Sequence, residues 1–192
     1  MNQLKYTYKF ALIGILFIAV ILSVTTLLVK SMNEEINQMQ GRYEGGNYNL
    51  VLEEVLKNVQ QHRANSVTLF SGEESARQNA QENAVNMEQV LADLVEMERV
   101  TPYDFDIAEQ VTTIQAQWEG IVAKTNWTST TEIVADHTKL TELILHTMLD
   151  VSNNSDLVLA KTKESNSLIT TLTQTIPQLT ENLGVIRANG LT

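Results

Sequence analysis

The sequence predicts an all-α protein with one N-terminal transmembrane helix followed by an antiparallel helical-bundle ectodomain. Three observations carry this prediction. The 192 residues contain only 8 Gly and 2 Pro, too few turn residues for an architecture of many strands. A run of 20 residues near the N-terminus carries no charge. The rest of the chain repeats apolar residues at the 3.6-residue helical period, and no segment alternates like a strand for more than a few residues.

The uncharged run occupies residues 10–29, between Lys9 and Lys30. A helix of this length spans about 30 Å, the thickness of the hydrocarbon layer of a membrane. A signal peptide is one alternative, but its apolar core is shorter and ends at a small-residue cleavage site, which residues 25–30 lack. A buried helix of a soluble protein is the other alternative, and it rarely runs so far without a polar stripe.

The flanking cations predict the orientation of this span. Lys5 and Lys9 precede it, whereas only Lys30 follows it before Arg42. Positive charge favours the cytoplasmic side, so the N-terminus is expected there and the rest of the chain outside. The predicted division is a cytoplasmic N-terminus at 1–9, a transmembrane helix at 10–30 and an extracytoplasmic domain at 31–192.

The charge of the ectodomain excludes one class of partner. The chain has 13 basic and 23 acidic residues, and from Ser31 onward the count is 10 against 23, or −13. Such a surface repels nucleic acid, so no nucleic-acid partner is expected. The chain has no Cys, which excludes disulfides, thiolate metal sites and a cysteine nucleophile.

The first ectodomain helices follow from apolar stripes and from glycine. The span is expected to continue as a helix through 31–40, and the glycine-rich segment 41–47 to interrupt it. A second helix is predicted over 48–70, closed by Ser71 and Gly72. Its stripe comprises Leu52, Val55, Leu56, Val59, Ser66, Val67 and Phe70. A third helix is predicted over 73–100, with Ala80, Ala84, Met87, Val90, Leu91, Leu94 and Val95 on one face.

Capping signals mark the next two helix starts. Thr101 as N-cap, Pro102 in the first turn and Asp104 near the dipole predict a fourth helix. Its face comprises Phe105, Ala108, Val111, Ile114, Trp118, Ile121 and Val122. Ser129 and Glu132 form a capping box that opens a fifth helix. The face of that helix comprises Ile133, His137, Leu140, Ile144, Met148 and Val151.

The chain then predicts a turn at 161–166 and a last helix from Ser167, kinked at Pro177. The face of this helix expected in the core comprises Leu168, Leu172, Ile176, Leu179, Leu183 and Ile186. Long amphipathic helices joined by short polar loops bury their stripes by packing side by side, which predicts the antiparallel bundle.

The sequence offers little chemistry for catalysis. The three histidines are His62, His137 and His146, and none pairs with another at i+3 or i+4, so no helical metal site is encoded. No phosphate loop, nucleophile elbow or dinucleotide fingerprint is present. His137 lies on an apolar face and is predicted to be a hydrogen-bonded core residue. We therefore expect no enzymatic activity, no metal and no cofactor.

Two arginines are the candidate ligand-binding residues. Arg63 follows Val59 by four residues and precedes Phe70 by seven, so it projects from the apolar side of its helix. An inward charge needs a carboxylate or an anionic ligand beside it. Arg187 directly follows Ile186, which is expected to face the core. The alternative is that each arginine pairs with an acid or lies at the edge of the bundle.

Two segments resemble sequence motifs of a known protein family. Residues 58–72, which contain Gln61-His62-Arg63 and end in Gly72, resemble the Gln-His-Arg-Gly-x-Ser…Leu-x-Gly helix of bacterial sensor ectodomains. Residues 176–190 resemble the Leu-Pro-x-Leu-x-Glu-x-Leu-Gly-x-Leu-Arg-x-x-Gly element of the same proteins. The opening segment 4–10, with its span, is typical of them too. These are membrane-bound methyl-accepting chemotaxis proteins and related histidine kinases or diguanylate cyclases, and their helical sensor is similar to the nitrate/nitrite-sensing class.

The resemblance implies the signal-input part of a transmembrane chemoreceptor. In nitrate/nitrite sensors, arginines of the bundle bind the anion, and Arg63 and Arg187 match such positions. The family pattern has Gly where this chain has Ala64, and Asp-Ser-Tyr-Tyr where it has residues 164–167, so the ligand's identity does not transfer. A homodimer through the membrane-proximal helices is expected. Cytoplasmic signalling partners are expected only through C-terminal domains that would follow Thr192, because the sensor is predicted to be truncated there.

Two further interpretations remain open at this point. The same sensor could precede a histidine kinase or a diguanylate cyclase instead of a chemoreceptor domain. A membrane-anchored structural or adaptor bundle would bind protein and no small ligand. An Arg63 paired with a carboxylate favours the adaptor, whereas an Arg63 facing an open polar pocket favours the sensor.

Overall fold

The computed structural model describes residues 6–124, 126–158 and 163–190, and within them the chain is helical, with no strand. The all-α prediction is therefore confirmed. The elements are α1 (Tyr6–Phe70), α2 (Ala76–Val100), α3 (Ala108–Ala123), α4 (Thr130–Asn154), α5 (Lys163–Thr170), a π-helical turn (Thr171–Thr175) and α6 (Ile176–Gly190). The chain divides into two compact units, residues 1–40 and 41–192.

The first unit contains the apolar part of α1. In the described chain, α1 is the single helix long and apolar enough to cross a membrane, judged by length and composition, and none of its most apolar stretch is buried. The hydroxyls of Ser23 and Thr26 donate hydrogen bonds to the carbonyls of Ala19 and Leu22, at 2.8 and 2.7 Å. These bonds satisfy the side-chain donors of Ser23 and Thr26 within the helix itself, an arrangement that suits an apolar surrounding.

The interruption predicted at 41–47 is wrong, because α1 runs through these residues without a break. Gly45 serves close packing instead. A Cβ at Gly45 would overlap the side chain of Ser155, whereas a Cβ at Gly41 would make an ordinary contact, 3.6 Å from the ring of Tyr103. Glycine at position 45 permits the close approach of α1 to Ser155, which follows α4.

The two adjacent glycines provide a matched test. Gly45→Ala is expected to lower the free energy of unfolding by about 1–3 kcal/mol, since its Cβ overlaps Ser155. Gly46 has nothing within 4 Å, so Gly46→Ala is expected to stabilise the protein by up to about 1 kcal/mol through helix propensity. Thermal melts of the chain in detergent check both. Equal effects of the two substitutions would contradict a close contact at Gly45.

The described part of the second unit is built around a main apolar core, to which α1, α2, α3 and α4 all contribute, and a smaller cluster of Val67, Ile133 and Val134. The predicted stripes supply most of both, although Phe70, Val95, Ala108 and Val122 are exposed. The buried members of the main core are Tyr48, Leu52, Val55, Leu56, Val59, Met87, Leu91, Leu94, Phe105, Ile107, Val111, Ile114, Trp118, Ile121, Leu140, Ile144, Met148 and Val151.

The fourth helix begins later than predicted, at Ala108. Thr101 is the C-cap of α2, and the residues after it form a loop whose Phe105 and Ile107 are buried in the core. The backbone N–H of Asp106, at φ +56°, donates to Asp104 Oδ1 at 2.8 Å. The local side-chain hydrogen bond and the burial of two large side chains outweigh the capping signal.

The predicted start and face of α4 are confirmed, and half of its predicted capping box forms. The Ser129 hydroxyl accepts a hydrogen bond from the Glu132 backbone N–H at 3.2 Å, which is half of the predicted capping box; the Glu132 carboxylate accepts from the backbone N–H of Thr128 instead. The whole predicted face of the helix is buried. This cap and this face fix α4 against the core.

The last part of the chain differs from the prediction in three ways. Helix α5 begins at Lys163 and not at Ser167, so residues 163–166 of the predicted turn are helical; residues 161–162 of that turn lie outside the described residues. The irregularity expected at Pro177 is a π-helical turn that ends two residues before it. Proline lacks the N–H that would bond to Thr173, so the regular ladder cannot continue through this point.

The third difference concerns the apolar face, which is exposed and does not face the core. Its six side chains are 43–68% exposed, so the core-facing assignment of Ile186 is also wrong. The inward face of α6 carries Pro177 and Glu181 instead, both buried. Glu181 is two residues from Leu179 and from Leu183, about 200° around a helix. Turning Glu181 inward therefore turns both leucines outward.

Candidate functional site

Arg63 of α1 is enclosed by α6 and α4. Its side chain is 2% exposed and forms a bidentate ion pair with Glu181, with Nη1–Oε1 at 2.6 Å and Nη2–Oε2 at 3.1 Å. Nη1 also donates to Thr138 Oγ1 at 3.3 Å. Gln60 Nε2 donates to Glu181 Oε2 at 3.0 Å. The buried guanidinium and carboxylate thus balance each other in charge and in hydrogen bonds.

Gly184 allows α6 to approach the guanidinium. A Cβ at this position would lie 2.5 Å from Arg63 Nη2. Because Gly184 follows Glu181 by three residues, both lie on the inward side of α6. Arg63 is therefore bounded by Glu181 on one side and by bare helix backbone on the other.

A cavity of about 290 Å³ opens beside Arg63. Its wall includes three cationic side chains, Lys57, Arg63 and Arg187, and the amides of Gln60 and Gln61; no carboxylate is among its lining residues. The remaining lining residues are Ala64, Val67, Thr68 and Gly184. This basic cavity lies in a part of the chain that is strongly acidic after Ser31, and it brings together both arginines that the sequence singled out.

The three cationic side chains of the basic cavity differ in how firmly other side chains hold them in place. Arg63 is buried and held by Glu181. Lys57 is half exposed and pairs with Glu54 at 3.0 Å, and the side chain of Arg187 is exposed. Exposed pairs contribute little and rearrange readily. Lys57 and Arg187 can therefore turn toward a ligand, whereas Arg63 can do so only at the expense of Glu181.

Next to Arg63, two histidines meet in the core. His62 Nδ1 and His137 Nε2 are 2.9 Å apart, and His137 Nδ1 lies 2.7 Å from the carbonyl of Ile133. A carbonyl only accepts, so His137 donates from Nδ1 and accepts at Nε2, which leaves His62 to donate from Nδ1. The His62 ring also packs edge-on against Trp118, with centroids 4.9 Å apart.

Burial keeps both rings uncharged at neutral pH. Desolvation lowers the pKa of His62 from its ordinary value of 6.5 to about 4. Desolvation also lowers the pKa of His137 to about 3; the hydrogen bond to the Ile133 carbonyl opposes this shift, and the positive charge of Arg63 adds to it. The arrangement holds α1 against α4. Each ring carries one proton, on Nδ1, and each of these protons is already donated in a hydrogen bond. Among the described residues, no group of three or more His, Asp or Glu side chains is placed to hold a metal ion.

Two members of this site were missed in the sequence. Glu181 lies between two leucines of an apolar stripe, and periodicity alone places it on the solvent side. His62 continues the spacing of Val55 and Val59 along the stripe of α1, and this signal could have identified it as buried. The chain matches no protein-family model, no curated protein and no solved structure.

Proposed function

We propose that this chain is the signal-input part of a transmembrane chemoreceptor and that its basic cavity binds a small anion outside the cytoplasm. The single observation that carries the proposal is the convergence of Lys57, Arg63 and Arg187 on one cavity without a lining carboxylate. In an ectodomain of net charge −13, such a concentration of donors and positive charge fits an anionic ligand.

The size and donors of the cavity indicate the class of ligand. Its volume of about 290 Å³ is at the lower end of the range for small-molecule sites. Planar guanidinium groups bind the paired oxygens of carboxylates and oxyanions bidentately. The proposed ligand is therefore a small oxyanion or carboxylate.

Glu181 suggests how binding would change the structure. The Glu181 carboxylate pairs with the Arg63 guanidinium in the way that the carboxylate of a ligand would. An anion in the basic cavity therefore competes with Glu181 for Arg63. A ligand that draws Arg63 away from Glu181 favours a second packing of α6 on α1. Differential binding to the two packings shifts their populations. Because α1 also carries the apolar run, a small shift of this helix is the proposed signal across the membrane.

The membrane arrangement belongs to the same proposal. Residues 10–30 of α1 span the membrane with the N-terminus in the cytoplasm, and the helices of residues 41–190 form an antiparallel bundle outside. The chain acts as a homodimer and reaches its cytoplasmic signalling partners through a methyl-accepting, histidine kinase or diguanylate cyclase domain. The chemoreceptor is the version that the sequence resemblance favours.

A second candidate function rests on one observation. Arg63 is fully paired with Glu181, which is what a membrane-anchored adaptor bundle without a small ligand would require. In that case the ion pair is only a fixed support of the fold, and the basic cavity is water-filled surface. Ligand binding discriminates between the two functions.

The test is a thermal melt of the full chain in detergent against nitrate, nitrite, carboxylates and amino acids. A ligand at 100 times its Kd stabilises the folded state by about 2.7 kcal/mol, which raises the Tm by several degrees. Arg187→Gln is expected to abolish that shift without unfolding the protein, since its side chain is exposed.

Arg77→Gln is the matched control, because Arg77 is an exposed arginine outside the cavity, paired with Glu74. It should leave the ligand-induced shift unchanged. If no compound raises the Tm, or if Arg187→Gln and Arg77→Gln behave alike, the anion sensor is refuted and the adaptor is favoured.

A further inference from the structure

The outward face of α5, the π-helical turn and α6 is an apolar surface, here called the outer seam. Its six side chains are between 43% and 68% exposed: Leu168, Leu172, Ile176, Leu179, Leu183 and Ile186. Scattered exposed leucines are ordinary on a protein surface, but a contiguous stripe marks an interaction surface.

The spacing along the outer seam follows the pattern of a coiled coil. From Ile176 the members follow one another at intervals of three, four and three residues, the a/d spacing of heptads. The two intervals on either side of Leu172 are four residues each, longer than a heptad mean of 3.5. The π-helical turn (Thr171–Thr175) lies at this place, and its wider ring takes up the additional residue. The stripe thus stays on one face of the helix.

We propose that the outer seam is the surface on which two copies of this chain associate, helix against helix, as a coiled coil. The inference deepens the proposed homodimer by adding a surface on α5 and α6 to the contact expected through the membrane-proximal helices. It rests on the proposed membrane span only for the parallel orientation of the two copies, which insertion in one membrane imposes. It is independent of the anion site.

The charge pattern selects a second copy as the occupant. Between residues 168 and 186 the one charged residue is Glu181, which is 5% exposed and paired on the opposite face. Residues flanking the seam, such as Thr175, Thr180 and Asn182, are uncharged. In coiled coils, charges at flanking positions choose the partner and exclude a like chain. The one charge at a flanking position is Arg187, directly after Ile186. The flanking positions between residues 168 and 186 carry no charge that would exclude a like chain, and the acidic surface elsewhere repels another copy, so the outer seam is the place of approach.

The experiment uses the absence of Cys in the chain. Single cysteines are introduced by Ile176→Cys, Leu179→Cys and Leu183→Cys into the full chain in membrane vesicles, which are then treated with a mild oxidant. Disulfide-linked dimers are expected at all three positions. Two controls carry a cysteine off the seam: Gln178→Cys, exposed on another side of α6, and Val85→Cys, an exposed apolar position of α2.

A several-fold excess of dimer at the three seam positions over both controls supports the proposal. Equal cross-linking at all five positions, or no dimer at the seam, overturns it. A second measurement is the mass of the uncross-linked chain in detergent, where Leu179→Lys with Leu183→Lys should convert dimer to monomer while the helical circular dichroism is kept. The anion melts do not enter this result, so failure of the seam and failure of the sensor are distinguishable.

Discussion

Replacing Arg63 with alanine is expected to destabilise the folded chain by about 3–5 kcal/mol, the cost of breaking a buried ion pair. The substitution removes the guanidinium that holds Glu181, a residue only 5% exposed. The carboxylate would then lie buried beside an empty space without a counter-charge. Chemical unfolding at pH 7, followed by circular dichroism in detergent, measures the loss.

Two comparisons sharpen this prediction. Arg77→Ala breaks an exposed pair with Glu74 and should leave the free energy of unfolding almost unchanged. Arg63→Met combined with Glu181→Leu removes both charges and should recover most of the loss, since apolar replacements of a buried pair are often neutral. A loss in Arg63→Ala no larger than in Arg77→Ala would show that the pair is not buried in solution.

The second large effect is a loss of stability in mild acid. Both core histidines have folded-state pKa values below the unfolded value of 6.5, about 4 for His62 and about 3 for His137. Their contribution is therefore fully present above pH 6.5 and is lost as the pH falls from 6.5 toward the folded-state pKa values. At pH 5 the unfolded chain gains about 2 kcal/mol per histidine from protonation, or about 4 kcal/mol for the pair.

Unfolding free energies at pH 7.5 and pH 5.0 check this effect. His62→Gln combined with His137→Gln should be less stable at pH 7.5 and should lose most of the difference between the two pH values. His146→Gln is the control, since the His146 side chain is 72% exposed. A double variant that keeps the full pH dependence would contradict the assignment to this pair.

The parts of the fold that local rules govern were predictable. Ser129 and the periodic face of α4 fix that helix by nearest-neighbour chemistry, and both appear as expected. Gly45 misled the prediction because a glycine that ends a helix and a glycine that admits Ser155 look alike in one sequence. The segment around Phe105 misled it because burial of distant partners outweighed a good cap.

The candidate site likewise has one residue that the sequence predicted and one that it did not. Helical phase placed Arg63 on an inward face, and the structure shows it there. Glu181 could not be recognised, since it stands 118 residues away from Arg63 within an apolar stripe. The inward position of Arg63 predicted that this cation has a partner. Which residue is the partner depends on which face α6 presents to α1, and the sequence does not indicate that face.

The orientation of α6 connects the two proposals. Glu181 and Gly184 face Arg63, Arg187 lines the basic cavity, and the outer seam covers the opposite side of the same helix. In the proposed receptor, an anion that displaces Glu181 rotates or lifts α6 and so alters the surface on which the copies meet. Ligand binding and dimer packing are then coupled through one helix.

The most direct measurement of the central claim is calorimetric titration of the full chain, its Glu181→Gln variant and its Arg187→Gln variant with the anion that gives the largest rise in Tm. If Glu181 competes for Arg63, Glu181→Gln binds that anion about tenfold more tightly than the unmodified chain, a gain of about 1.4 kcal/mol. Arg187→Gln binds it weakly or not at all. Equal affinity in all three proteins, or no binding heat from any of them, would contradict an anion site at Arg63.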